Sequence, residues 1–199
     1  MRSRLRRIGL DFDNTIACYD TAFFEVARSV NLIPEGPVLN KAQVKEAVTR
    51  AHGGEAWTRL QGLVYGPEIH RASCFEGVPA FLEAARLAGW EVYVVSHKTP
   101  VPVLGEPWDL HQAARDWIRQ NGLFERGLEL SKTFFEPTRE QKIDRLRSLE
   151  CRVFVDDLPE VFLEPSFPEH VERWLHGSAE GPWRNFGNWS TPSRWLETL

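Results

Sequence analysis

Two short apolar runs in this chain each end in a pair of carboxylates. Ile8-Gly9-Leu10 runs into Asp11-Phe12-Asp13, and Val153-Phe154-Val155 runs into Asp156-Asp157. Apolar runs of this length, bounded by turn residues, read as strands buried on both faces, as in a parallel sheet. Successive strand residues point to opposite faces, so a regular strand cannot aim Asp11 and Asp13 at one point. The chain must turn as it leaves the strand, with both acids at its C-terminal end. In open α/β sheets that edge is where ligands bind. A carboxylate there can bind a hard cation, act as a nucleophile or move a proton.

The rest of the chain supplies the partners such a sheet needs. Glu91-Val92-Tyr93-Val94-Val95 is a third apolar run, and it ends in Ser96-His97-Lys98-Thr99. Leu128–Phe135 and Val171–Leu175 are weaker strand candidates. Helical stripes lie between them: Val78, Phe81, Leu82 and Ala85 before Gly89, then Ala113, Ala114, Trp117 and Ile118 before Gly122. A third carries Ile143, Leu146 and Leu149, with Thr138 and Gln141 spaced as a capping box and Lys142 in the first turn. About sixty residues separate the first strand from Gly77. They are helical, with Phe23, Phe24, Val26, Ala27 and Val30 at helical spacing, and then a region from about Lys41 to Leu63 divided at Gly53-Gly54. No strand is expected among them. The expected fold is α/β: a Rossmann-like parallel sheet flanked by helices, built from residues 1–16 and 74–199. An α-helical cap of residues 17–73 is inserted after the first strand.

Composition narrows the function classes. A chain of 199 residues forms one domain, or one domain with an insertion. Its net charge of −4 disfavours a general nucleic-acid surface. Arg2, Arg4, Arg6 and Arg7 are followed by no signal-peptide apolar region, and read as a solvated lead-in. No segment approaches the roughly 18 apolar residues of a membrane helix. Cys18, Cys74 and Cys151 are far apart with no CxxC, which fits a reducing cytoplasm better than disulfides or zinc. Trp183, Trp189 and Trp195, among Pro, Gly, Ser and Asn, are expected to pack the tail onto the core.

Right-handed crossovers bring the C-terminal ends of parallel strands to one edge. Asp11, Asp13, Ser96, Asp156 and Asp157 should therefore converge. Four close carboxylates repel strongly unless a cation joins them. Mg²⁺, which prefers oxygen ligands and keeps several waters, is the natural one.

Asp11-x-Asp13-x-Thr15 after one strand, Ser96 ending a second, a lysine, and Asp156-Asp157 ending another resemble the haloacid dehalogenase (HAD) superfamily. Order and strand context agree for all four motifs. The resemblance implies that Asp11 attacks phosphorus and becomes an aspartyl-phosphate. It implies that Asp13 protonates the leaving oxygen, then deprotonates water, and lends its backbone carbonyl to Mg²⁺. Ser96 would hydrogen-bond a phosphoryl oxygen. Lys142, with Lys132 as rival, would neutralise the nucleophile and phosphoryl charge. Asp156 and Asp157 would hold Mg²⁺ directly or through water, and His97 and Lys98 are candidates for substrate contact. Lys98 could equally pair with the carboxylate cluster. Superfamily members that cleave carbon–halogen bonds lack a carboxylate at the Asp13 position, so Asp13 points to phosphate-ester hydrolysis. A phosphonate-cleaving member would use an insertion lysine, but Lys41 and Lys45 read as exposed helix residues.

The cap implies small phosphorylated substrates, such as sugar phosphates or nucleotides, with no nucleic-acid or membrane partner. Arg50, His52, Arg59, His70 and Arg71 are candidate contacts for further anionic groups, weighed against a solvated helical surface. Transfer of the phosphoryl group to an alcohol, or a non-catalytic metal- or phosphate-binding protein of the same fold, are the alternatives.

Overall fold

The computed structural model describes residues 6–196; Arg2 and Arg4 lie outside them. In chain order the elements are β1 (Arg7–Leu10), β2 (Ala17–Cys18), α1 (Asp20–Ser29), α2 (Lys41–His52), α3 (Gly54–Tyr65), β3 (Ser73–Cys74), α4 (Val78–Leu87) and β4 (Glu91–His97). There follow α5 (Leu110–Gln120), β5 (Thr133–Glu136), α6 (Arg139–Ser148), β6 (Val153–Asp156), α7 (Pro159–Phe162), β7 (Glu172–His176), β8 (Arg184–Phe186) and α8 (Ser190–Trp195).

Six strands form one sheet in the order β5-β4-β1-β6-β7-β8, every neighbouring pair parallel. The fold class read from the sequence is the one observed. The chain builds outward from β1 through β4 to β5. It then crosses back and builds the other way through β6, β7 and β8. The order reverses between β1 and β6, so the crevice there opens at the C-terminal ends of the two strands that carry the paired acids. Ile8, Leu10, Val153, Phe154 and Val155 are fully buried, as a central parallel strand requires.

Gly9 sets the spacing at this point. A Cβ there would lie 2.8 Å from Phe154 Cδ2 and 2.9 Å from Leu146 Cδ2. The missing side chain lets α6 approach the sheet closely. Leu146 and Lys142 are four residues apart on that helix and share a face. The close packing that seats Leu146 on Gly9 therefore carries Lys142 toward the sheet's C-terminal edge. The helix start is fixed by Thr138, whose hydroxyl accepts the Gln141 backbone N–H at 3.1 Å. At the other end of the α4–β4 connection, Gly89 (φ 73°) closes α4. Its N–H bonds Arg86 O and the Trp90 N–H bonds Ala85 O, a Schellman pattern.

The chain divides into two compact units. The first takes the chain up to Ile16, then Cys74–Lys98, then everything from Ile118 onward, and holds the sheet. The second is Ala17–Ser73 with Thr99–Trp117. The sequence pattern leaves 99–117 with the sheet. In the structure it joins the helical unit, because Trp117 Nε1 donates to Ala72 O at 2.9 Å and Gly62 leaves room for Pro102. Within this unit Phe23 stacks on Trp57 (centroids 4.9 Å apart), with Tyr19 and Tyr65 edge-on. A full capping box, Asn40 with Gln43, starts α2. Lys41 is half-buried over the Phe23 and Tyr65 rings at 5.3 and 5.7 Å, whereas Lys45 is exposed as expected.

Three further expectations are adjusted. The two-residue strands β2 and β3 pair with each other where none was expected, since two residues cannot display an alternation. Arg7 is not a solvated residue: its Nε donates to Glu91 at 2.9 Å and its Nη1 to Leu149 O at 3.0 Å. The tail adds a sixth strand and a helix, with Trp189 buried against Phe81 and Phe186, and half-buried Trp195 and Trp183 packed on Trp174 and Phe162. Among the described residues no helix is long and apolar enough to cross a membrane.

Candidate active site

Asp11 follows β1 directly, and its N–H is anchored on Val155 O of β6 at 2.8 Å. The chain then turns. Ile16 N–H closes on Phe12 O at 3.0 Å, and Asn14 takes the left-handed conformation (φ 58°), which asparagine tolerates better than most residues. This turn is what the Asp11-x-Asp13 pair demanded.

Lys142 stands across the switch point. Its Nζ lies 2.6 Å from Asp11 Oδ1 and 2.6 Å from Asp156 Oδ2, and all three side chains are buried. Asp156 Oδ1 accepts the Leu158 N–H at 3.0 Å, which fixes the carboxylate in the turn after β6. Lys132, the rival lysine, pairs instead with Glu129 at 2.8 Å and Glu91 at 3.2 Å. Glu91 opens β4, so Lys132 belongs to the far end of the sheet.

Burial pushes the Asp11 carboxyl up to about 7 against the opposing charge of Lys142, with Asp156 and Asp13 adding to the rise. Burial alone would lower the Lys142 pKa, but Asp11 and Asp156 facing it raise it instead, so the ammonium stays charged. Carboxylate oxygens of Asp11, Asp156 and Asp157 all lie within 4.8 Å of one another. One ammonium among three acids leaves an excess of negative charge and a set of hard oxygen donors. That donor set fits a cation such as Mg²⁺.

Asp13 stands apart from this trio. Its carboxylate is held by Lys98, whose Nζ lies 2.9 Å from Oδ2 and 3.1 Å from Oδ1. Lys98 is 3% exposed and also lies over the Phe12 ring at 5.7 Å. Of the two sequence readings of Lys98, the structure shows the ion pair with the acids. Ser96 is buried on β4, beside β1, two residues past the Leu10–Val94 register point and so at the same edge. His97 turns to the opposite face, where its exposed ring bonds the Pro137 carbonyl through Nε2 at 3.1 Å.

The candidate anion contacts of the helical unit are engaged locally. His52 bonds Leu32 O, His70 bonds Pro67 O, and Arg71 pairs with Glu68 and Glu25. Arg50 reaches Glu46 at 3.8 Å, and Arg59 is exposed. One residue near the turn was not anticipated: His176, at the end of β7, bonds the Asn14 carbonyl through Nδ1 at 3.0 Å. Its signal in the sequence is weak, since Glu172 and Arg173 interrupt the run that it closes.

No protein-family model matches the sequence, and no curated protein matches it either. Solved structures do. A HAD-superfamily hydrolase from Geobacter sulfurreducens aligns over 98% of both chains with a TM-score of 0.63 and 12% identity. A predicted phosphoglycolate phosphatase from Haemophilus somnus aligns over 98% of this chain and 99% of its own, with a TM-score of 0.59 and 14% identity. A HAD family hydrolase from Deinococcus radiodurans, solved with bound phosphate and sodium, covers 97% and 88% with a TM-score of 0.55 and 12% identity.

The architecture is the one these HAD-superfamily structures share.

At these identities the HAD likeness is one of architecture, and a site must be argued from its own residues. The acids, Lys98, Lys142 and Ser96 all come from the sheet-bearing unit, at the C-terminal edge of its strands.

Proposed function

We propose that the protein is a Mg²⁺-dependent phosphatase that hydrolyses a phosphate monoester of a small metabolite, such as a sugar phosphate or a nucleotide. The observation that carries this reading is the buried Asp11–Lys142–Asp156 bridge at the sheet's switch point, with Asp13 separately paired to Lys98. The likeness to a predicted phosphoglycolate phosphatase from Haemophilus and to a Deinococcus hydrolase with bound phosphate adds support for phosphate chemistry.

Phosphoryl transfer needs in-line positioning and charge neutralisation above all. Lys142 holds Asp11 Oδ1, which leaves Oδ2 to attack phosphorus. As the Asp11 O–P bond forms, the ester P–O bond breaks and the leaving oxygen takes the proton that Asp13 must carry, as its acid form beside Lys98, when substrate binds. Asp13 then accepts a proton from water, whose oxygen attacks the aspartyl-phosphate and releases inorganic phosphate with Asp11 regenerated. Ser96 donates its hydroxyl to a phosphoryl oxygen. Asp11, Asp156 and Asp157, with the Asp13 carbonyl, are the residues that would hold Mg²⁺, which when bound offsets phosphoryl charge. Lys98 positions Asp13, while His97, turned to the opposite face onto the Pro137 carbonyl, is given no part in substrate binding. The helical unit takes the role of a cap that keeps water out during turnover. A carboxylate at position 13 has no task in breaking a carbon–halogen bond, which favours ester hydrolysis.

The test is phosphate release from a panel of phosphorylated metabolites with Mg²⁺, with EDTA, and with Asp11→Asn. The expected result is metal-dependent release that the substitution abolishes while the protein stays folded. Release that survives Asp11→Asn would remove the covalent mechanism, and release in EDTA would remove the metal.

A further inference from the structure

His176 is a buried-edge titratable group to which the mechanism above gives no task. It closes β7, and in the sheet register it lies opposite Phe186 of β8. Its ring is enclosed by aromatics: stacked on Phe186 (centroids 5.1 Å, 29°), edge-on to Phe75 (4.5 Å, 89°) and tilted against Trp189 (6.0 Å). Burial lowers its pKa, with the bond to Asn14 opposing, which favours the neutral ring. A carbonyl only accepts, so the 3.0 Å contact to Asn14 O requires the proton on Nδ1. One tautomer and one ring orientation are thereby fixed.

The acceptor is what gives this bond consequence. Asn14 follows Asp13 directly and is the left-handed residue of the Phe12–Ile16 turn, which carries Asp13 as the chain leaves β1. A non-glycine residue at φ 58° is held there by its surroundings. Ile16 N–H fixes the turn from within, at Phe12 O. His176 fixes it from outside, from a strand 162 residues away in sequence.

We propose that His176 is a positioning residue for the Asp11–Asp13 turn, its Nδ1–H holding the Asn14 carbonyl so that Asp13 keeps its aim. The proposal rests on the phosphatase reading for its effect on turnover, but not for the bond itself. It assigns the C-terminal segment a part in the chemistry: β8 and Trp189 build the wall that sets the His176 ring.

The experiment compares His176→Phe, which keeps the aromatic packing and loses the donor, with His176→Asn, whose amide nitrogen can replace Nδ1–H. With the best substrate of the panel, His176→Phe is expected to lower kcat by about tenfold or more while KM stays within about twofold. His176→Asn is expected to recover much of that loss. Equal kcat in His176→Phe and wild type, or equal loss in both variants, overturns the proposal. Nitrogen NMR of the wild-type ring and backbone amide shifts of Asp11–Thr15 give a readout independent of activity. A neutral ring protonated at Nδ1, and shifts in that turn that move in His176→Phe and return in His176→Asn, support positioning even where no substrate is turned over. An Nε2–H ring, or an unmoved turn, overturns it.

Discussion

Lys98 Nζ sits 2.9 Å from one carboxylate oxygen of Asp13 and 3.1 Å from the other, with the lysine side chain almost fully buried. A lysine so committed acts on the acid beside it. Lys98→Met is therefore expected to lower kcat by about tenfold or more, with KM little changed, because it removes the group that aims Asp13. Steady-state kinetics checks this. A rise in KM at unchanged kcat would instead return Lys98 to the role of a substrate contact.

Lys142→Met leaves Asp11 and Asp156 buried beside each other without their shared cation. Breaking a buried ion pair by removing one partner costs about 3–5 kcal/mol. Urea unfolding should show a loss of that order, and added Mg²⁺ should recover part of it by binding the folded carboxylates alone. Phosphatase activity measured with Mg²⁺ should fall with the substitution even where the metal restores stability.

Lys132→Ala is the contrasting case. Its partners Glu91 and Glu129 lie at the far end of the sheet and are partly exposed. Stability should change by less than about 1 kcal/mol. The kcat/KM should stay within about twofold of wild type, since a surface pair remote from the site contributes little. A large kinetic loss here would make Lys132 the motif lysine after all.

Gly9→Ala tests the packing that delivers Lys142. The added methyl meets Phe154 and Leu146 side chains below 3 Å, so these must give way, and a shift of α6 with Leu146 is the expected outcome. Overpacking of this kind costs about 1–3 kcal/mol. Activity should fall further than the stability loss accounts for, because the helix that shifts carries Lys142. Melting curves and kinetics on the same preparation separate the two effects.

How legible all this was in the sequence depended on how local each feature is. The central strands were plain because burial on both faces prints a continuous apolar run, as in Val92–Val95 and Val153–Val155. Lys142 was recoverable because the Thr138–Gln141 cap fixes where α6 begins. By contrast, β8 was hidden: of Arg184–Phe186 only Phe186 is buried, so no pattern marks it. The grouping of 99–117 with the helical unit rests on contacts such as Trp117 with Ala72, 45 residues apart, which no local pattern encodes. The partner of Lys98 was left open for the same reason. Side-chain direction at a strand's end is set by what packs around it.

The bond between Asp11 and Lys142 spans 131 residues, and that between His176 and Asn14 spans 162. During synthesis the first strand and its acids emerge long before the partners that make them tolerable. Until β6 docks against β1, Asp11 has neither its ammonium nor the Val155 carbonyl that anchors its N–H, and burying it would be costly. The central strand therefore cannot settle early. It must wait, with Leu10 and Ile8 uncovered, for the last quarter of the chain. Long-range parallel pairings of this kind form only after their loop-closure entropy is met. Completion of the sheet and assembly of the reactive centre are then one event, and a half-made chain cannot carry a half-working site.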